Sequence, residues 1–121
     1  GTSIDAASGP ALVAWAESVG RAAAPTSDIA PGDLLVFDRT EGEPADRVAI
    51  AIGRDARGVT ELVYLAGGVV RRGFVDPRRP ATRRDATGAV VNTFMRTGRL
   101  WPPKGTHYLA GELLSHIVHV R

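Results

Sequence analysis

The segment Arg47-Val-Ala-Ile-Ala-Ile-Gly53 alternates large and small apolar residues, with Val48, Ile50 and Ile52 on one face and Ala49 and Ala51 on the other. A period of two is that of an extended strand, since successive side chains point to opposite sides of a pleated backbone. Asp55-Ala56-Arg57-Gly58 then supplies hairpin chemistry and leads into a strand from Val59 to Leu65, and Gly67-Gly68 turns the chain into Val69 to Val75. Three strands at hairpin spacing dictate an antiparallel meander. The small Ala49/Ala51 face is expected to receive a closely packed element, most simply the N-terminal helix.

That helix is read over residues 9–24. Leu12, Trp15, Ala16 and Val19 fall at i, i+3, i+4 and i+7, Ser8 stands as N-cap, Pro10 is tolerated in the first turn, and Gly20 with Pro25 weakens or ends it. Pro31-Gly32-Asp33 makes a turn into Leu34–Asp38, a short strand buried on both faces. Residues 39–46 and 76–88 read as loops, and Ala89 to Met95 as a further strand. After the rigid connector Pro102-Pro103-Lys104-Gly105, Thr106 caps a last helix from about Tyr108 to Ile117, although His116 to Val120 also alternates like a strand. The expectation is an α+β fold, an N-terminal helix on an antiparallel sheet of about five strands, closed by a terminal helix or strand. The expected core is Leu12, Trp15, Phe37, Ile50, Ile52 and Leu62.

At 121 residues, with 44% hydrophobic and 23% charged residues, the chain is expected to form one globular domain over residues 1–121, with the question of native residues ahead of Gly1 left open. The apolar runs Leu34–Phe37 and Val48–Ile52 fall far short of the roughly 20 residues that span a bilayer. With no cysteine there is no disulfide, thiolate metal site or thiol nucleophile within the segment. An extracytoplasmic setting in a bacterium, periplasm or envelope, suits that composition without being required by it. The formal charge of +2 hides an asymmetry: ten acids and five arginines in residues 1–61 give −5, and ten bases with three acids in 62–121 give +7.

Three features in series carry a resemblance: Ala7-Ser8-Gly9 at the helix start, the turn and strand Pro31 to Phe37, and the hairpin Arg47 to Gly53 leading to Leu62-Val63-Tyr64. Together they resemble the NlpC-type cell-wall cysteine peptidases, the papain-like superfamily that also holds the CHAP amidases. The likeness covers residues 29–66 well and the helix loosely. It implies a papain-like fold, with the nucleophile position at Ala7, the histidine position at Arg47 and the orienting polar position at Tyr64. A guanidinium stays protonated and cannot take a proton from a thiol at neutral pH. The resemblance therefore implies a degenerate, non-catalytic module whose vestigial groove binds a peptide, a cell-wall fragment or a partner protein, with Arg47 pairing a carboxylate of a wall-peptide stem. Two other readings stand beside it. One is the C-terminal part of a peptidoglycan peptidase or amidase with its cysteine upstream of Gly1, and the other is a protein-interaction scaffold whose basic half docks on an acidic partner.

Remaining constellations are weaker. Arg71-Arg72, Arg78-Arg79 and Arg83-Arg84, with Phe74 between, are a candidate patch for an anionic partner, but Asp76 and Asp85 dilute it and nucleic acid is not favoured. On a helix, Glu112, His116 and His119 would share a face at metal-ligand spacing, yet HExxH is absent and no metal or other cofactor is expected. Gly-x-Ser-x-Gly and phosphate-cradling glycine loops are also missing.

Overall fold

A computed structural model describes residues 9–96 and 105–120. The elements run α1 Gly9–Ser18, β1 Ala22–Ala23, β2 Leu34–Phe37, β3 Arg47–Arg54, β4 Thr60–Ala66, β5 Val69–Val75, α2 Ala110–Leu113 and β6 Leu114–Val118. The strands form one open six-stranded antiparallel sheet in the order β1-β6-β2-β3-β4-β5. The fold is α+β, with few helices. No helix among the described residues is long and apolar enough to cross a membrane.

The first helix is shorter than its apolar stripe predicts. Gly20 takes φ 71°, its N–H bonds the Glu17 carbonyl at 3.3 Å, and Arg21 N–H reaches back to the Ala16 carbonyl at 2.8 Å. This pair of backward bonds is a Schellman closure, which needs a left-handed residue that glycine supplies cheaply. The chain then leaves as β1 instead of continuing to residue 24. Ser8, the expected cap, lies outside the described residues.

The two faces of the sheet are buried the opposite way from the expectation. One face carries Leu35, Phe37, Ala49, Ala51, Leu62 and Tyr64, which form the main core with Val75, Met95, Leu113 and Ile117. The other face carries Val36 and Val118 beneath Leu12 and Ala16 of α1, with Leu34 and Val48 packed beside them. The helix thus covers the valine face, while Ala49 and Ala51 receive a different cover. Ile50, Ile52 and Trp15, expected in the core, are about half exposed.

The cover over the alanines is the segment after β5. Residues 76–96 contain no named helix or strand among the described elements, yet Val91 and Met95 are buried. The expected strand Ala89–Met95 is reduced to two isolated bridges, Arg84 to Val90 and Phe94 to Leu109. Asn92, fully buried, holds the segment together. Its Oδ1 accepts the N–H groups of Asp76 and Gly111, and its Nδ2 donates to the carbonyls of Arg79 and Thr82. Backbone that lacks a ladder can be buried only if such partners satisfy it.

At the C-terminus the alternation His116 to Val120 prevails. β6 fills the place between β1 and β2, and only the single turn α2 remains of the expected helix. The connector residues Pro102, Pro103 and Lys104 lie outside the described residues.

Candidate functional site

The loop between β2 and β3 is organised by carboxylates. Asp46 Oδ1 accepts from the Thr40 N–H and hydroxyl, each at 2.8 Å, and Oδ2 accepts the N–H groups of Glu41 and Glu43 at 2.8 and 3.1 Å. Desolvation acts to raise the Asp46 carboxyl, but the bonds from Glu41, Thr40 and Glu43 outweigh it and hold the group below its ordinary 3.8. Asp38 Oδ1 accepts the Ala45 N–H at 2.7 Å. Arg39 and Ala45, the two non-glycine residues with positive φ among those described, flank the loop at 57° and 49°. Such strain persists where surrounding bonds over-determine the backbone. The loop therefore presents its side chains from a fixed frame.

Beside it lies a cavity of about 510 Å³ lined by Glu41, Arg47, Tyr64, Arg71, Phe94, Met95 and Arg96, among others. Arg47 opens β3 on the core face and is only 7% exposed, so it is not a solvated strand-end residue. Its Nη1 donates to the Met95 carbonyl at 3.1 Å, and its guanidinium carbon stands 5.5 Å from the Tyr64 ring centroid. Among the described residues the nearest carboxylate oxygen, Glu41 Oε1, is 3.9 Å from Nη2 and belongs to a side chain that is 64% exposed. Among the described residues no side-chain nitrogen sealed from solvent lacks a partner. A guanidinium nitrogen of Arg47 that bonds nothing is therefore one that solvent reaches.

The strand register explains why Arg47 and Tyr64 meet. Ala49 pairs with Tyr64, so Arg47, two residues before Ala49 on the same face, falls diagonally across from the tyrosine. Tyr64 pairs in turn with Arg71 of β5, which places a second cation on that face at the cavity rim. Ala7 lies outside the described residues. Gly9, two residues on, packs against the backbone of Ala45, which brings the start of α1 to the end of the loop preceding Arg47.

The other sequence candidates disperse. Arg72, next to Arg71 in β5, points to the opposite face and pairs with Glu61. Arg79 Nε bonds the Asp76 carboxylate at 2.8 Å, and Arg78 lines a separate small cleft. Arg83 stacks over Phe94 at 4.1 Å from the ring centroid, and Arg84 donates to the Gly88 carbonyl. Of the six arginines, Arg71 faces the cavity and Arg83 backs its Phe94 wall.

Glu112, His116 and His119 do not share a helix face. Glu112 sits in α2, His116 in β6 and His119 beyond it. Their partners are His107 at 2.8 Å, Glu17 at 3.7 Å and Asp33 at 2.9 Å respectively. No group of three or more such side chains converges on a metal position among the described residues.

Sequence reasoning missed Arg96, Phe94, Met95 and Glu41 as members of the site. Phe94 to Arg96 reach it only because the arm ending there folds back across β3 and β4, and no periodicity announces that return. Glu41 falls in the segment 39–46 that reads only as a loop, and the convergence of four donors on Asp46, which aims it, is not visible in a linear string.

What the arrangement can do follows from its charges. A mostly buried, permanently cationic side chain, two further arginines and aromatic walls are chemistry able to hold an anionic group, with the Glu41 carboxylate on the same cavity opposing it. No family model matches the chain, and no curated protein or solved structure matches it.

Proposed function

We propose that this chain is a non-catalytic binding module, related in architecture to the NlpC-type and CHAP papain-like peptidases, that holds an acidic peptide through Arg47 and Tyr64. The observation that supports it is an arginine side chain more than nine-tenths buried that, among the described residues, makes one side-chain hydrogen bond and has no carboxylate closer than 3.9 Å. A buried charge is costly unless it is paired, and the bond to the Met95 carbonyl with the Tyr64 ring compensates only part of that cost. A ligand carboxylate entering the cavity completes the pairing, with the possibility of two parallel N–H···O bonds. The ligand class in keeping with the resemblance is the carboxylate-rich stem peptide of a bacterial cell wall. Arg47 binds and orients the acid and moves no proton, because it has none to give or take near neutral pH.

The test is calorimetric titration of muropeptide stem fragments against wild type and Arg47→Ala. A charge-assisted contact is worth about 1.5–3 kcal/mol, so the variant should bind on the order of ten- to a hundredfold more weakly. Equal affinity in the two proteins, or no binding to either, removes the proposal.

A further inference from the structure

The face of the sheet away from the cavity is only half covered. α1 shields β6, β2 and the near side of β3, but Ile50, Ile52, Leu65 and Val70 remain 47%, 50%, 58% and 70% exposed. Trp15 and Val19, which continue the Leu12 stripe along α1, are 48% and 49% exposed. Between helix and strands runs a groove of about 350 Å³ in which Leu12, Leu34, Val48, Val63 and Tyr64 join Ile50, Leu65 and Val70, and none of its lining residues is charged.

We propose that this face is the interface of a homodimer, in which two copies stack their sheets across a two-fold axis. The proposal does not rest on the Arg47 cavity, although Tyr64 borders both that cavity and this groove. Six large side chains each about half exposed leave on the order of 600 Å² of apolar surface in water, at the top of the range for a monomer's largest patch and near the roughly 800 Å² per partner of a stable interface.

A second copy fits this face better than an unlike partner. An uncharged lining carries nothing that selects a different molecule, whereas an isologous contact requires only that the patch match itself. The rim does match itself. Arg72, 75% exposed, and Glu61 share this face and pair with each other within one copy, so a two-fold axis brings like pairs of opposite charge together without leaving a charge unpaired. The net charge of +2 opposes association little. Pairing edge to edge through β5 is disfavoured, because Thr93 bonds both the N–H and the carbonyl of Phe74, and Arg71 and Arg72 charge the rest of that strand.

The test is sedimentation of the intact chain at concentrations up to the order of 100 µM, where a dimer of modest affinity is populated. The wild type should sediment as a concentration-dependent dimer that persists in about 1 M salt, where charge-driven association is screened. Val70→Glu and, separately, Leu65→Glu place a charge against its symmetry mate and should weaken dimerisation at least about tenfold, with circular dichroism confirming that each variant is folded. A wild type that stays monomeric, a dimer that salt dissociates, or folded variants that dimerise like wild type would each overturn the proposal. A monomeric wild type that captures an amphipathic helical peptide on this face would also overturn it, and would assign the surface to an unlike partner.

Discussion

Gly111 and Asn92 are in direct contact: the Gly111 N–H donates to Asn92 Oδ1 at 2.9 Å, and a Cβ on Gly111 would stand 2.7 Å from the same oxygen. This contact joins α2 to the irregular arm over the sheet, the arm whose Met95 lines the Arg47 cavity.

Asn92→Ala is expected to destabilise the protein by about 3 kcal/mol or more, because it strands two N–H groups and two carbonyls in a buried place. Gly111→Ala is expected to cost about 1–3 kcal/mol, since its methyl would also meet the Pro80 Cα at 2.7 Å. Urea denaturation measures both. A loss below about 0.5 kcal/mol for Asn92→Ala would remove the asparagine from its structural role.

Arg47→Met separates binding from folding. Replacing a buried, poorly paired ion with an apolar side chain of similar reach is often neutral or stabilising. The variant is expected to melt at or above the wild-type temperature while losing its acidic ligand. A melting temperature several degrees lower would mean that the guanidinium is a structural keystone instead.

Acid is expected to destabilise the fold mainly between about pH 4 and pH 2. The Asp85 carboxyl is held down to about 2 from 3.8, first by the Thr87 hydroxyl against an opposing desolvation, with help from the N–H groups of Ala89 and Thr87 and from Arg57. Desolvation is the largest single influence on Asp46 and on Asp55, yet their hydrogen bonds still hold both below 3.8. Folded values below the unfolded ones mean that this stability is complete above about pH 4 and is lost as the pH falls through the folded values. Melts across pH 5 to 2 should show a shallower acid decline for Asp46→Asn than for wild type. Parallel declines would contradict the contribution of Asp46.

Ala51→Leu tests which face is buried. With Ala51 only 2% exposed in the main core, the larger side chain should overpack it and cost about 1–3 kcal/mol despite its greater hydrophobicity. An unchanged or higher denaturation midpoint would place Ala51 on an open face.

The site was half legible from the chain. Arg47 and Tyr64 are singled out by the resemblance alone, and the register of β3 and β4 is what brings the two together. Phe94, Met95 and Arg96 could not be singled out, because they belong to an arm whose backbone is satisfied by one asparagine and not by a repeating ladder. Glu41 could not, because four hydrogen bonds converging from separate positions on Asp46 set where it stands.

By itself the sequence determined where the four strands β2 to β5 run and turn, since a period of two, an Asp-Ala-Arg-Gly or Gly-Gly break and a Pro-Gly-Asp turn act over a few residues. It did not determine which side of those strands is inside. The Ala49/Ala51 face and the Val48/Ile50/Ile52 face are both apolar, so alternation alone does not choose between them. Only the tertiary structure chose, because Met95 and Leu113 pack with Phe37 and Leu62 into one core around the small residues, whereas α1 is too short to cover the full width of the opposite face. The same competition gave residues 114–118 to the sheet, where a strand between β1 and β2 satisfies backbone groups on both its edges.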